Sequence, residues 1–192
     1  RWVAVGEGTA NTIAYSSDGS SWTGINTMFT TAGYGIVKGS RWVAVGEGTY
    51  SIAYSSDAST WTGIATGSSP FSIRGRAIVY SSTLSRFVAV GEGANTIAYS
   101  DNGMTWTTVS NSKAILPFGY SVSWNGAFFL AGGTTSTGHG NSLCYSTDGI
   151  EWIGYGGVHT NGNDIYYYNN SWISVGTGYS GILYSPNGVN WT

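Results

Sequence analysis

The chain has 192 residues, of which only 8% are charged, and it carries a formal net charge of −2 and one cysteine. Seven scattered Lys and Arg residues cannot neutralise the several phosphates that nucleic-acid binding requires, and no apolar run is long enough to span a membrane, so neither partner is expected. Average soluble proteins are roughly 25% charged, and the low value here favours an extracellular, cell-surface or virion protein.

One segment of the sequence occurs five times. Arg-Trp-Val-Ala-Val-Gly-Glu-Gly at 1–8 returns at 41–48, as a close variant at 86–93, and in degenerate form at 128–133 and 172–178. Each copy is followed by Ile-Ala-Tyr-Ser or a variant of it, then by a turn and a Trp. The spacing from this Tyr to this Trp is seven residues in all five copies, which indicates one repeated hairpin.

The sequence pattern of each copy predicts four short strands. The first strand is a segment such as 34–37, the second is the Trp-Val-Ala-Val-Gly segment, the third is Ile-Ala-Tyr-Ser, and the fourth begins at the repeated Trp. β-Branched and aromatic residues between Gly and Asn turns are typical of strands, and no segment shows a helical period. Only four first strands are found for five copies, so the first strand of the opening unit is expected before Arg1, after Thr192, or not at all.

A four-stranded unit of about 40 residues cannot bury both of its faces alone, and radial stacking of such units gives a propeller. The sequence therefore predicts an all-β fold, a β-propeller of four-stranded antiparallel blades, with five blades favoured. A linear β-solenoid and a fragment of a longer array are the alternatives. We predict a single domain over 1-192, with repeats at approximately 1-33, 34-76, 77-118, 119-163 and 164-192.

A turn of nearly constant composition joins the third and fourth strands. It reads Ser-Ser-Asp-Gly-Ser-Ser-Trp at 16–22. The Asp or Asn side chain accepts backbone N–H groups of its own turn, the Gly takes a left-handed conformation, and the Trp packs over the hairpin. Ala58 replaces this Gly in the second copy, so we expect a strained or differently wound turn there. The residues predicted to be structural are Asp18, Asp57, Asn102, Asp148, Asn187, Trp22, Trp61, Trp106, Trp152 and Trp191.

In all five copies this turn resembles the Asp-box of the bacterial neuraminidase repeat family of β-propellers, although it lacks the residue that the family has between Asp and Gly. The resemblance implies a box on the rim away from the ligand site. The resemblance also implies a sialidase activity as an alternative. Catalysis in that family uses three arginines, a Tyr–Glu pair and an Asp. Arg1, Arg41 and Arg86 share one repeat position at the opposite end of the second strand from the glutamates, so they are poor candidates and no catalytic residue is assigned.

Glutamates occupy one repeat position, between two glycines at the end of the second strand, in three copies. In a propeller this position shares a face with the inter-blade loops, so we expect a partial ring of glutamates on the binding face, unless each Glu caps a turn or pairs with a neighbouring blade. Aromatic and polar side chains in the inter-blade loops are typical of a sugar site. The candidate ligand-binding residues are Glu7, Glu47, Glu92, Arg74, Arg76, Tyr155 and His159.

Neither His139 nor His159 belongs to a metal-ligand spacing, and Cys144 is expected to be a small buried apolar residue. We therefore predict no metal and no cofactor. The sequence predicts a non-enzymatic extracellular or virion-surface propeller module that acts in structural assembly or in glycan binding and adhesion. Its expected partner is a glycan or a neighbouring protein subunit, bound on the glutamate-bearing face. The alternative is a sialidase-like glycoside hydrolase.

Overall fold

A computed structural model of the chain describes residues 1–25, 28–134, 141–178 and 180–192. Within these ranges the chain forms antiparallel strands and one short helix, α1 (Ser112–Ile115). Four residues are too few to show a helical period, which is why the sequence did not predict α1. The prediction of an all-β fold is confirmed. The insertion that carries His139 lies outside the described residues.

The strands form five consecutive units that repeat one antiparallel order. The first unit has the strands β1 (Trp2–Val5), β2 (Ile13–Ser16) and β3 (Thr23–Ile25). The second has β4 (Ala32–Lys38), β5 (Trp42–Glu47), β6 (Tyr50–Ser55) and β7 (Thr62–Ala65). The third has β8 (Arg74–Ser81), β9 (Arg86–Glu92), β10 (Ile97–Ser100) and β11 (Thr107–Thr108). The fourth has β12 (Phe118–Trp124), β13 (Phe129–Thr134), β14 (Leu143–Ser146) and β15 (Ile153–Gly154). The fifth has β16 (Asn161–Tyr168), β17 (Ser171–Thr177) and β18 (Ile182–Ser185).

The units are the blades of a propeller whose innermost strands are β4, β8, β12 and β16, in contact with one another in that order. Main-chain pairing links neighbouring blades, as between Glu47 and Arg74 and between Thr134 and Asn161. Among the described residues no strand of the fifth blade is hydrogen-bonded to the first, and no segment supplies the first blade's missing inner strand. These residues therefore form an arc of blades, and closure of a five-bladed ring stays a prediction.

The inner strands begin one to three residues earlier than the predicted repeat boundaries. β4, for example, begins at Ala32, because Ala32 and Gly33 pair with Glu47 and Gly46 at the end of β5. The sequence placed this pair in the preceding loop, because a Gly near a strand end is usually read as a loop residue.

Each blade packs against the preceding blade through one face and against the following blade through the other, here called its upstream and downstream faces. Side chains alternate between these faces along each strand. The downstream face of the second blade is formed by Val43, Val45, Ile52 and Tyr54. Its upstream face is formed by Trp42, Ala44, Ala53 and Trp61. The equivalent residues of the other blades build the remaining apolar cores, in which Cys144 is fully buried at an upstream position.

The box turns share one set of hydrogen bonds. In the first turn the N–H groups of Asp18 and Gly19 donate to Ser16 Oγ at 3.2 and 2.8 Å, and those of Ser20 and Ser21 donate to Asp18 Oδ1 at 2.8 and 2.9 Å. The turn at Ala58 makes the same bonds, and its φ of 69° is close to the 80° of Gly19. It is therefore not differently wound, and the strain is that of an alanine in the left-handed region.

Three arginines connect the blades at the box end of the molecule. Arg41 Nε donates to the carbonyl of Asn102 in the next blade, Arg86 Nη1 donates to that of Asp148 at 2.7 Å, and Arg1 makes the same contact with Asp57. Each guanidinium also lies 5.0 to 5.6 Å from the ring centre of the repeated Tyr in its own blade. These arginines are thus structural and lie at the opposite end of the second strand from the glutamates.

In the first four blades the repeated Trp directly precedes the outermost strand. The burial of these Trp residues depends on the neighbouring blade. Trp61 is 8% exposed because the first blade covers it, whereas Trp22 is 45% exposed because no described blade precedes the first. We expect Trp61→Ala to lower the free energy of unfolding by about 3–5 kcal/mol and Trp22→Ala to lower it by less than half as much. Urea denaturation measures both values. Equal losses would contradict the role assigned to the covering blade.

The box carboxylates make the stability of the fold depend on pH in the acidic range. The N–H groups of Ser21 and Ser20 lower the pKa of Asp18 to about 2. Similar bonds from Thr60 and Ser59 lower the pKa of Asp57, and the bonds to Asp148 lower its pKa despite partial burial, which opposes the change. Carboxylates with a lowered folded-state pKa stabilise the fold above about pH 4, and this contribution is lost as the pH falls toward 2.

Asparagine already takes the place of these carboxylates in two boxes, where Asn102 and Asn187 accept the same backbone bonds. We therefore expect the triple variant Asp18→Asn, Asp57→Asn, Asp148→Asn to fold at pH 7 and to lose less stability than the unmodified chain between pH 4 and 2. Thermal unfolding across this range measures the difference. Glu151→Gln, which removes an exposed carboxylate within the fourth box turn, is the control and should leave the acid dependence unchanged.

Candidate functional site

Each inner strand contains a β-bulge at the same position. The bulge residue follows a Gly in every case, and a Cβ on Gly75 would lie 2.8 Å from the Cβ of Val45, so only glycine lets the strand approach the preceding blade this closely. The extra residue of a bulge is unpaired and points away from the regular alternation. The four bulge residues line one cleft of about 360 Å³ near the propeller axis: Tyr34, Arg76, Tyr120 and Asn163.

Arg76 lies at the centre of this cleft, between two aromatic rings. Its guanidinium carbon is 5.0 Å from the ring centre of Tyr34 and 5.4 Å from that of Tyr120, which is the distance of a cation–π contact. Arg76 Nε donates to Glu92 Oε1 at 2.7 Å. The bulges of three successive blades therefore hold a fixed cation between two tyrosines.

An ion-pair network supports Arg76 from the neighbouring strands. Arg74 Nη1 lies 2.9 Å from Glu47 Oε2, which also accepts the Tyr34 hydroxyl at 2.8 Å. Arg74 Nε lies 3.5 Å from Glu92 Oε2, an electrostatic contact without hydrogen-bond geometry. Two carboxylates and two guanidinium groups thus alternate along the cleft, and their formal charges cancel.

This network shifts the acidity of two of its members. Partial burial raises the pKa of Tyr34 above its ordinary value, and the hydrogen bond to Glu47 raises it further. Burial acts to lower the pKa of Arg74, but the negative charges of Glu92 and Glu47 outweigh this effect and raise it. Both groups therefore keep their protons at neutral pH, Tyr34 as a neutral donor and Arg74 as a cation.

The predicted glutamates do not form a free ring. Glu47 pairs with Arg74 of the following blade, the structural role that the sequence left open for it, whereas Glu92 pairs with Arg74 and Arg76 of its own blade. Glu7 is exposed and pairs through its main chain with Ala32. In the described part of the chain its carboxylate has no ion-pair partner. The structure thus brings Glu47, Glu92, Arg74 and Arg76 together and leaves Glu7 outside the group.

His159 is not accessible from the cleft. It is 2% exposed, and its ring nitrogens contact the Ser180 carbonyl and Ser174 Oγ, each at 3.1 Å. Burial lowers the pKa of its imidazole. The ring packs against Gly176 as the side chain of Phe71 packs against the equivalent Gly91. His159 is thus a core residue of the inter-blade loop.

Tyr155 also lies away from the cleft. Its ring centre is 5.6 Å from that of Tyr145, and it lines a separate cavity with residues 187–189 of the fifth box turn. That cavity lies where Phe128 replaces the arginine that connects the earlier blades. Tyr155 therefore packs between the fourth and fifth blades.

Three residues of the cleft were missed from the sequence, namely Tyr34, Tyr120 and Asn163. The available signal was a glycine near the start of each inner strand, directly followed by a residue whose type differs between blades. Within the described residues no group of three or more His, Cys, Asp or Glu side chains could hold a metal ion, and no helix there is long and apolar enough to cross a membrane. The cleft offers aromatic faces, a guanidinium group and an amide to a polar ligand.

No protein-family model matches this sequence, and neither does any curated protein. Similar folds are found among solved structures. A GH74 enzyme of Niastella koreensis matches 98% of this chain with 29% of its own, at 20% identity and a TM-score of 0.64. A chain of the nidogen/laminin complex matches 83% of this chain with 63% of its own, at 9% identity and a TM-score of 0.64. YCF48 from Cyanidioschyzon merolae matches 83% with 55% of its own, at 14% identity and a TM-score of 0.56.

These structures are β-propellers, and the likeness confirms the predicted propeller fold. At such low identities it shows the fold alone. The chain spans between 29% and 63% of the length of these three chains.

The repeat provides a matched test of the ion-pair network. We expect Glu92→Gln to lower the free energy of unfolding by about 1–3 kcal/mol, because it removes a charged partner from two arginines. Glu7→Gln changes the same repeat position without breaking an ion pair among the described residues, so its effect should stay within about 0.5 kcal/mol. Urea denaturation measures both, and equal effects would contradict the network.

Proposed function

We propose that this chain is a non-enzymatic, glycan-binding module of an Asp-box β-propeller, and that the axial cleft is its ligand site. The observation that carries the proposal is the position of Arg76, fixed between Tyr34 and Tyr120 in a cleft completed by Asn163. Fixed aromatic and hydrogen-bonding groups bind with little loss of side-chain entropy.

The repeated turn supports membership of the Asp-box propellers. In all five boxes the Ser hydroxyl accepts the N–H of the Asp or Asn, and the Asp or Asn oxygen accepts two further N–H groups. These bonds give a physical reason for the repeated Ser and for the repeated Asp or Asn, although the turn is one residue shorter than the family pattern.

The chemistry of the cleft favours a neutral sugar. The apolar face of a sugar ring stacks on an aromatic side chain, and its hydroxyls pair with N–H donors and amide groups. Glu47 and Glu92 balance the charges of Arg74 and Arg76, so the cleft presents no net field that would attract a charged ligand. A neutral polyhydroxylated ligand therefore fits this site better than an acidic one.

The same ion pairs argue against hydrolysis. A glycoside hydrolase of the usual kind needs one carboxyl group as acid and a second as nucleophile or base. Arg74 lies between Glu47 and Glu92, and Arg76 holds the second oxygen of Glu92. Neither carboxylate is directed at a ligand, so we propose that the chain binds glycan without cleaving it.

The composition supports a location outside cells or on a virion. With 8% charged residues, the chain depends on Ser, Thr, Asn and Gly for its polar surface. An adhesive module in this setting would present the cleft to glycans of a cell surface or matrix.

A glycan array with neutral, sialylated and uronate-bearing sugars tests the proposal. We expect binding of a neutral sugar, with a dissociation constant that rises about three- to tenfold in Tyr120→Ala, since one stacked aromatic contact is worth about 0.5–1.5 kcal/mol. Tyr120 contacts Arg76 but belongs to no ion pair among the described residues, so the fold should be retained.

Lys113→Gln is the matched control, because it changes a side chain on the same face but outside the cleft, where Lys113 donates to the Gly93 carbonyl. It should leave binding unchanged. Selective binding of acidic sugars would overturn the assignment to neutral ligands. Release of fluorophore from a fluorogenic sialoside would overturn the non-enzymatic assignment.

A further inference from the structure

The junction between the fourth and fifth blades lacks the arginine that connects the earlier blades. Phe128 stands at the repeat position of Arg1, Arg41 and Arg86. In those three junctions the guanidinium group lies 5.0 to 5.6 Å from the ring centre of the repeated Tyr, and it donates to a main-chain carbonyl in the box turn of the next blade. Each of these arginines is thus bound by the same two fixed groups.

Both of these fixed groups are present at the fourth junction. The repeated Tyr of the fourth blade is Tyr145, and the box carbonyl of the fifth blade belongs to Asn187, whose turn has the same hydrogen bonds as the other boxes. Within the described residues no cationic side chain lies over the Tyr145 ring, and the Asn187 carbonyl accepts no hydrogen bond. The junction therefore keeps the groups that bind arginine elsewhere in the arc.

Phe128 replaces the aliphatic part of the arginine side chain but not its charged end. A Cβ on the box residue Gly103 would lie 2.9 Å from Arg41 Cδ, and a Cβ on the equivalent Gly188 would lie 3.0 Å from Phe128 Cζ. The tip of the phenyl ring therefore lies where the last methylene group of the arginine packs against the box. Beyond it the junction contains a cavity of about 180 Å³, lined by both fixed groups and by the half-exposed Val189. The place of the guanidinium group is thus open to solvent.

A second substitution adds a further aromatic wall to this cavity. Tyr155 stands three residues after the repeated Trp, where the first three blades have aliphatic residues. Its ring centre lies 5.6 Å from that of Tyr145, and the Tyr145 ring meets that of Phe128 edge-on at 6.4 Å. Several aromatic rings around one cavity form a cage for organic cations, because the face of each ring carries a negative electrostatic potential.

We propose that this cavity, called the cation cage and formed by Phe128, Tyr145, Tyr155 and the Asn187 carbonyl, binds the guanidinium group of an arginine side chain supplied by a partner protein. The guanidinium group stacks on Tyr145 and donates an N–H to the carbonyl, as the arginines of the earlier junctions do. The cage shares no lining residue with the axial cleft, so the proposal is independent of glycan binding.

The groups of the cage select a guanidinium group over other cations. A guanidinium group is planar and weakly hydrated, so it can stack on a ring while an N–H in its plane reaches a carbonyl. An ammonium group is compact and strongly hydrated, and among the described residues no carboxylate lines the cage to compensate for lost hydration. None is required for arginine, since Arg1 and Arg41 are held without an ion pair in the described part of the chain.

NMR titration of the ¹⁵N-labelled full chain with N-acetyl-arginine methylamide tests the cage. We expect the amide signals of Gly188 and Val189 to shift. The citrulline equivalent has the same shape without the charge, and it should bind at least about tenfold more weakly, because it offers neither a cation to the rings nor a charged donor to the carbonyl. Absence of binding, equal binding of the citrulline compound, or tighter binding of the lysine equivalent or of tetramethylammonium would each overturn the proposal. Tighter binding of methylguanidinium than of the blocked arginine would overturn the assignment to a protein side chain.

Two variants introduce residues that the repeat already contains at the same positions, so the fold should be retained. Tyr155→Ile introduces the residue of the first two blades, Ile25 and Ile64, and removes one wall of the cage. We expect the affinity for the blocked arginine to fall about two- to fivefold, as for one cation–π contact at a partly exposed site. Phe128→Arg restores the arginine of the earlier junctions, whose own guanidinium group should occupy the cage and abolish binding.

Tyr184→Leu is the matched control. Tyr184 is the repeated Tyr of the fifth blade, and within the described residues its ring also has no cation over it, but it lies outside the cage. The control should bind the blocked arginine like the unmodified chain, and thermal unfolding checks that each variant is folded. Undiminished binding in a folded Phe128→Arg variant, or the same loss in Tyr184→Leu as in Tyr155→Ile, would contradict the cation cage.

Discussion

Packing of an aliphatic face against an aromatic and alanine face holds this molecule together. No blade has a core of its own, because each is a single sheet layer, and burial of Val43, Val45 and Ile52 requires the next blade. At the first three junctions an arginine also connects a blade to the box turn of the next one, and the apolar packing itself recurs at all four junctions of the described residues. Stability therefore grows with the number of junctions, as in other repeat proteins.

The site depends on the same packing. Close approach of an inner strand to the preceding blade, which Gly75 permits, brings the bulge residues of successive blades to one axis. The ion pair between Glu47 and Arg74 crosses a blade boundary, as do the contacts of Arg76 with Tyr34 and Tyr120, so the cleft exists only when the blades are assembled. A cleft of this kind needs no long loop, since the sheets themselves position its side chains.

Much of the fold could be predicted from the sequence, because equal spacing from Tyr to Trp in five copies admits one hairpin geometry. The conformation of the box at Ala58 was harder to predict, since the backbone N–H groups of Ala58 and Ser59 donate to Ser55 Oγ and Asp57 Oδ1 and so impose the left-handed conformation that alanine alone disfavours. The cleft was predicted only in part. Repetition in the sequence and position in a loop were enough to find Glu47, Glu92, Arg74 and Arg76. The bulge residues were missed, because a β-bulge leaves no periodic pattern in the sequence. His159 was misplaced because its polarity concealed a core position, although it precedes its glycine by the same seventeen residues as Phe29 and Leu116 precede theirs.

The bulges also separate recognition from folding. A side chain in a bulge belongs to neither the upstream nor the downstream face, so its volume and polarity do not enter the packing between blades. Tyr, Arg and Asn occur at this one position in different blades, while the residues that follow keep their strand pairing. When a blade is duplicated, its scaffold is copied intact and a single codon remains free to diversify. A propeller built in this way can acquire a new ligand through a few substitutions that leave the apolar packing between its blades unchanged.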